Sequence, residues 1–142
     1  MSNPLSVCLW FEGGQAKEAA EYYCGIFKDS KIIQANEMVT TFKLNGNELM
    51  ALNGNNQSQF NESVSLMVNC DTQEEIDHYW NSLSANGGSE SVCGWLKDKY
   101  GVSWQIIPSI MGQLMADPEK MQRVIQKVMQ MKKLIIAEME NA

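Results

Sequence analysis

Gln105 is the polar residue with the most unusual surroundings in this sequence. It lies in the run Val102-Ser103-Trp104-Gln105-Ile106-Ile107-Pro108. Strand alternation puts Val102, Trp104 and Ile106 on one face and Ser103, Gln105 and Ile107 on the other. A neutral amide among apolar neighbours needs a hydrogen-bond partner, and a ligand, a metal ion or a neighbouring protein group would each serve. The other groups able to do chemistry are Cys8, Cys24, Cys70, Cys93, Glu12, Asp98 and His78. The cysteines form no Cys-x-x-Cys pair, so neither a zinc knuckle nor a thioredoxin-type motif is expected, and reduced packing thiols are. His78, the one histidine, lies off the apolar stripe of its helix and is expected to face water, which leaves the thiols without a base. Asp98, between Lys97 and Lys99, reads as a solvated turn residue. Glu12 precedes Gly13-Gly14 and suits either a ligand or the N-terminus of the next helix. Trp95 and Trp104 read as core.

These residues must be positioned by a repeated order of elements. Val7 to Phe11 reads as a strand stopped by Glu12-Gly13-Gly14. Gln15 to Phe27 reads as a helix, with Ala16, Ala19, Ala20, Tyr23 and Phe27 on its buried stripe. Small alanines there let the helix lie close to a sheet. Strands follow at Lys31 to Ala35, Val39 to Leu44 and Glu48 to Asn53, with Asn45-Gly46 as a hairpin turn, and then a polar loop from Gly54 to Asn61. The order then repeats. Ser63 to Cys70 alternates as a strand, and Asp71 with Glu74 reads as the capping box of a helix buried through Ile76, Tyr79, Trp80 and Leu83. Asn86-Gly87-Gly88 ends that helix. Ser89 to Cys93 and the hairpin containing Trp95 and Gln105 complete the second unit.

The expected fold is therefore α+β: two tandem βαβββ modules, over about residues 5–54 and 63–108, in a single domain with a C-terminal helical tail over about 110–142. The tail opens with Asp117-Pro118-Glu119, a cap followed by proline at the first helical position. Its apolar band, Met121, Val124, Ile125, Val128 and Met129, is wider than one core-facing stripe requires, which points to a homodimer.

The 142-residue length suits a self-sufficient core. A net charge of −6 with a single arginine, Arg123, argues against nucleic acid and anionic membranes as partners. No apolar run approaches a bilayer span, and Met1-Ser2-Asn3-Pro4 opens no secretory leader, so a cytoplasmic location is expected.

The runs from Trp10 to Tyr23, Phe60 to Ser65, Cys70 to Trp80 and Gly94 to Pro108, together with Met131 to Leu134, resemble the PhnB-like branch of the vicinal oxygen chelate superfamily. This is the glyoxalase/bleomycin-resistance/dioxygenase fold, and proteins of this branch often carry the label 3-demethylubiquinone-9 3-methyltransferase. The resemblance implies curved, antiparallel-rich sheets around an open cup, usually in a dimer. In metal-using relatives four cup positions carry His, Glu or Gln ligands. Matching by motif places Leu9, Ala51, Ser65 and Gln105 nearest to them, and of these only Gln105 could ligate, so no metal and no cofactor are expected. Relatives commonly have an aspartate where Ile135 stands. Without that cap the tail continues as one helix or ends differently.

Three functional readings follow. The first is a binding module that holds a small apolar or aromatic molecule, with Leu9, Phe11, Asn53, Ser63, Ser65 and Gln105 as cup residues. The second is an enzyme of the superfamily using Cys8, Cys93, Glu12 or Asp98, with no catalytic residue assigned and methyl transfer disfavoured for want of a parallel nucleotide-binding sheet. The third is a structural or regulatory homodimer with a filled cup.

Overall fold

The computed structural model describes residues 4–54 and 58–142. The chain divides into two compact units, the first ending at Gln59 and the second beginning at Phe60. The polar loop expected over 54–61 falls partly on residues 55–57, outside the described residues.

In the first unit β1 (Val7–Glu12), α1 (Ala16–Ile26), β2 (Lys31–Ala35), β3 (Val39–Leu44) and β4 (Asn47–Gly54) form a four-stranded sheet in the order β1-β4-β3-β2. The β1–β4 pair is parallel, and the hairpin neighbours are antiparallel. Asn45 and Gly46 both have positive φ, as the tight turn between β3 and β4 requires. The expected alanine stripe is buried: Ala16, Ala19, Ala20 and Tyr23 of α1 are fully inaccessible. Having no bulk at three of these positions, α1 lies close to the sheet, and the Tyr23 ring stacks at 6.3 Å on Phe42 of β3. Phe42 thereby marks the covered face. Register puts Leu9, Phe11, Leu49 and Ala51 on that face with it, all buried.

The second unit repeats the order with β5 (Ser65–Cys70), α2 (Gln73–Leu83), β6 (Ser89–Glu90), β7 (Trp95–Lys97) and β8 (Ser103–Pro108), in the sheet order β5-β8-β7-β6. Here β5–β8 is the parallel pair. Val68, Cys70, Leu96, Trp104 and Ile106 share a buried face, and Ile76, Tyr79, Trp80 and Leu83 form the buried stripe of α2, as their spacing predicted. His78 is exposed, also as expected, with its ring 4.9 Å from Tyr79.

The helix cap lies one residue later than expected. Thr72, not Asp71, is the N-cap: its Oγ1 accepts from Glu75 N at 3.1 Å and donates to Glu75 Oε1 at 3.4 Å. Asp71 is drawn off by Ser109, whose hydroxyl donates to it at 2.6 Å. The strand expected from Ser89 to Cys93 is only two residues long, because Cys93 turns into the left-handed region at φ 61°.

The tail forms three short helices, α3 (Met111–Leu114), α4 (Pro118–Val128) and α5 (Ile136–Glu140). Asp117 caps α4 as expected, accepting from Glu119 N at 3.1 Å. The tail does not continue as one helix. Val124, Met131, Leu134 and Met139 gather with Ile107 of β8 into a separate apolar cluster, which folds the chain back between α4 and α5. Among the described residues no helix is long and apolar enough to cross a membrane.

Candidate functional site

Each sheet has one face covered by its helix and one face not so covered, and strand period decides which side chains go where. In the second module the uncovered face has two rows. Register partners Lys97, Ser103 and Ser65 run across β7, β8 and β5, and beside them run Trp95, Gln105 and Met67. Gln105 is half-buried, and its Nε2 donates to Ser65 Oγ at 2.8 Å. Its Oε1 accepts no hydrogen bond among the described residues, so the acceptor side of the amide is left for something else. Trp95 and Gln105 are direct partners across an antiparallel pair, which brings an indole plane beside the amide. Met67, 56% exposed, flanks Gln105 on the other side.

The polar row has a cationic end. Lys97 Nζ lies 2.7 Å from Glu62 Oε2, and this contact lowers the Glu62 carboxyl below its ordinary range. Ser103 is buried, and its hydroxyl has no hydrogen-bond partner among the described residues.

Within their own units, the residues expected to line a site take different places. Ser65 and Gln105 meet on the uncovered face of module two. Ser63 precedes β5 in a turn, where its N–H donates to Asn61 Oδ1 at 2.9 Å, and it contributes nothing to the sheet face. Leu9 and Phe11 lie on the covered face of module one, beneath α1 and only 7% and 1% exposed. The register places Asn53 with them, and its amide is spent on backbone: Oδ1 accepts from Ala16 N at 2.8 Å and Nδ2 donates to Glu37 O at 2.9 Å. A one-residue shift in matching β1 exchanges faces, and the apolar demand of α1 decides for Leu9 and Phe11 on the inside.

The alternate residues of β1, Cys8, Trp10 and Glu12, are exposed. Cys8 pairs with Met50, and Trp10 with Leu52. The Trp10 indole lies where a β-carbon on Gly54 would sit, so glycine at 54 is what lets the ring lie flat across β4. Sequence reasoning missed this second face. The alternation that selected Leu9 and Phe11 selects Cys8 and Trp10 as its complement.

Asp98 is not solvated. It is 2% exposed; Oδ1 accepts from Tyr100 N at 2.9 Å and Val102 N at 3.0 Å, and Oδ2 accepts from the Trp104 indole at 2.9 Å. The turn folds over its own aspartate and screens it from water. The thiols also differ: Cys8 is exposed, whereas burial first, then the nearby Glu75 and Asp71 charges, push Cys70 up to about 12.

Neither group implied by the relatives fits these residues. Of the four matched ligand positions, Leu9 and Ala51 carry no donor and face α1, and among the described residues no three His, Cys, Asp or Glu side chains converge to hold an ion. A nucleotide-type methyl donor would need free N–H groups where β1 enters α1. There Asn53 already takes the Ala16 N–H, and Gly13 N donates to Gly54 O at 3.1 Å.

The comparisons agree with this architecture. The family model described as 3-demethylubiquinone-9 3-methyltransferase matches residues 3–107. A PhnB protein from Bacillus cereus carrying the same description is 33% identical, covering 75% of this chain and 99% of its own, with a TM-score of 0.69. A glyoxalase-related enzyme from Fulvimarina pelagi, 16% identical over 76% of this chain and 88% of its own, has a TM-score of 0.55. The fosfomycin resistance protein FosX from Listeria monocytogenes, solved with Mn(II) and sulfate, is 13% identical over 81% of this chain and 97% of its own, with a TM-score of 0.59. These last two share the fold alone. No curated protein sequence matches the chain. The family match ends at residue 107, so the tail, Met131–Leu134 included, lies beyond it. Two repeated βαβββ modules in mixed sheets and a match over most of the length together mean that the chain belongs to the 3-demethylubiquinone-9 3-methyltransferase family, in the PhnB-like branch of the vicinal oxygen chelate superfamily.

Proposed function

We propose that this protein binds a small, flat, largely apolar molecule on the uncovered face of module two, without a resident metal ion. The observation that carries the reading is Gln105: a half-exposed amide between an indole and a thioether, its donor held by Ser65 and its acceptor oxygen uncommitted. Trp95 supplies a stacking plane and Met67 a deformable sulfur contact. Gln105 Oε1 selects a ligand that presents a hydroxyl or N–H at the ring edge, because a buried acceptor left unpaired costs more than a missing apolar contact.

Methyl transfer is not part of this reading. The family description names it, but the β1–α1 turn here has committed two of its N–H groups, those of Gly13 and Ala16, to protein acceptors. A homodimer remains part of the proposal, supported by Ile125 and Met129, which stay exposed on α4 at 36% and 67%. Sedimentation at micromolar concentration checks it, and a monomer there removes it.

The test uses 2-naphthol as probe, a fused ring bearing one hydroxyl. Calorimetric titration should show binding to the native protein, weakened about tenfold in Gln105→Leu, the value of one hydrogen bond to a bound polar group. Trp95→Ala should weaken it comparably. No binding to the native protein, or equal binding to all three, overturns the reading.

A further inference from the structure

We infer that residues 131–136 act as a strap that sets the geometry of the module-two face, with Gln73 as its positioning residue. The ligand part of this inference rests on the function proposed above; the structural part does not.

One side of the strap is held chiefly by one side chain of α2. Gln73, in the first turn of α2, donates from Nε2 to Leu134 O at 3.0 Å and accepts at Oε1 from Ile136 N at 2.9 Å. A second Nε2 bond to Asp77 Oδ1 at 3.1 Å fixes the rotamer. The amide presents a donor and an acceptor to the two ends of one backbone stretch; a carboxylate cannot donate and an aliphatic chain does neither. Ile135 has no side chain able to cap α5, so Gln73 performs the cap from another helix. Lys133 adds an ion pair to Asp77 at 2.7 Å.

The other side of the strap holds the entry to β7. Met131 O accepts from Cys93 N and Lys132 O from Gly94 N, each at 2.8 Å. Leu134 packs so closely on Gly94 that a β-carbon there would lie 3.0 Å from Leu134 Cδ1, and Gly94 sits at φ +84°. Gly94 O in turn accepts from Ile106 N at 2.8 Å. Residues 93 and 94 are therefore pinned between strap and β8. The residues one step further along each strand are Trp95 and Gln105, the partners that form the proposed site. The strap lies wholly beyond residues 3–107, which the family model matches.

The experiment compares native protein, Gln73→Leu and Gln73→Glu by amide hydrogen exchange and by the NMR shifts of the Trp95 indole N–H and the Gln105 side-chain amide. Gln73→Glu keeps size and the acceptor for Ile136 but turns a carboxylate on Leu134 O and Asp77, and protected module-one amides identify the folded protein in each variant. Exchange at Cys93, Gly94 and Ile136 should rise about tenfold in Gln73→Leu, with Trp95 and Gln105 shifts moving and module-one amides unchanged. In Gln73→Glu the Ile136 amide should stay protected while Cys93 and Gly94 loosen. 2-Naphthol affinity should fall with them. Unchanged exchange at Cys93 and Gly94 in both variants overturns the strap. Faster exchange with unmoved Trp95 and Gln105 signals overturns its control of the face. If native protein does not bind 2-naphthol, the functional reading fails, and exchange and shifts still decide the strap.

Discussion

Asp98 Oδ2 accepts the indole N–H of Trp104 at 2.9 Å while Oδ1 takes the N–H groups of Tyr100 and Val102, all within one hairpin turn. The carboxylate substitutes for water around three donors, those of Val102 and Trp104 buried, and closes the end of the β7–β8 hairpin. Asp98→Ala should destabilise by about 3 kcal/mol, because it leaves buried donors unpaired. Asp98→Asn, which keeps one acceptor oxygen, should cost less. Urea titration of both variants checks this, and equal losses would mean that the charge outweighs the acceptor geometry.

The α1 interface depends on smallness. Ala19 is wholly inaccessible against its sheet, so Ala19→Leu forces extra volume into a packed layer and should cost about 1–3 kcal/mol. Phe42→Ala removes the ring that stacks on Tyr23 and should cost about 3–5 kcal/mol. Thermal unfolding of the two variants measures both.

Gly54→Ala places a methyl where the Trp10 indole now lies. Trp10 is 45% exposed and can swing outward, so the stability loss should stay near about 1 kcal/mol while the indole becomes more mobile. A red shift in Trp10 fluorescence, read in a variant with the other tryptophans replaced by phenylalanine, is the expected signal.

Two pH effects follow from charge and burial. Lys133 and Gln73 hold the Asp77 carboxyl below its ordinary value of 3.8. A lowered acid stabilises the fold above its unfolded pKa and loses that contribution as pH falls through the folded one. Protection of the Ile136 amide should therefore decline below pH 3.8, and Asp77→Asn should abolish that decline. Cys70 moves oppositely, from 9.0 to about 12. Below 9.0 its thiol is neutral folded or unfolded; as pH rises from 9.0 toward 12, only the unfolded chain releases the proton, and stability falls. Cys70→Ala should flatten that alkaline limb. At pH 8 iodoacetamide should label exposed Cys8 and spare Cys70.

The sequence by itself determined the element order, the duplication and the buried stripes. Ala16, Ala19, Ala20 and Tyr23, and then Ile76, Tyr79, Trp80 and Leu83, are where period 3.6 placed them, because that period is a property of the local backbone. Alternation likewise separated Trp104 and Ile106 from Ser103 and Gln105. It could not say which face of β1 the helix would cover, so Leu9 and Phe11 were expected in a site and lie in the core, while Cys8 was considered only as a reactive thiol and Trp10 was not expected on the outer face. A face acquires its role from whatever packs on it, and that element is remote in sequence. The same limit hid Asp98, whose burial depends on a turn closing around it, and Gln73, whose partners lie 61 and 63 residues away. Tertiary structure alone decided those contacts, because a hydrogen bond between distant segments leaves no periodic trace in either one.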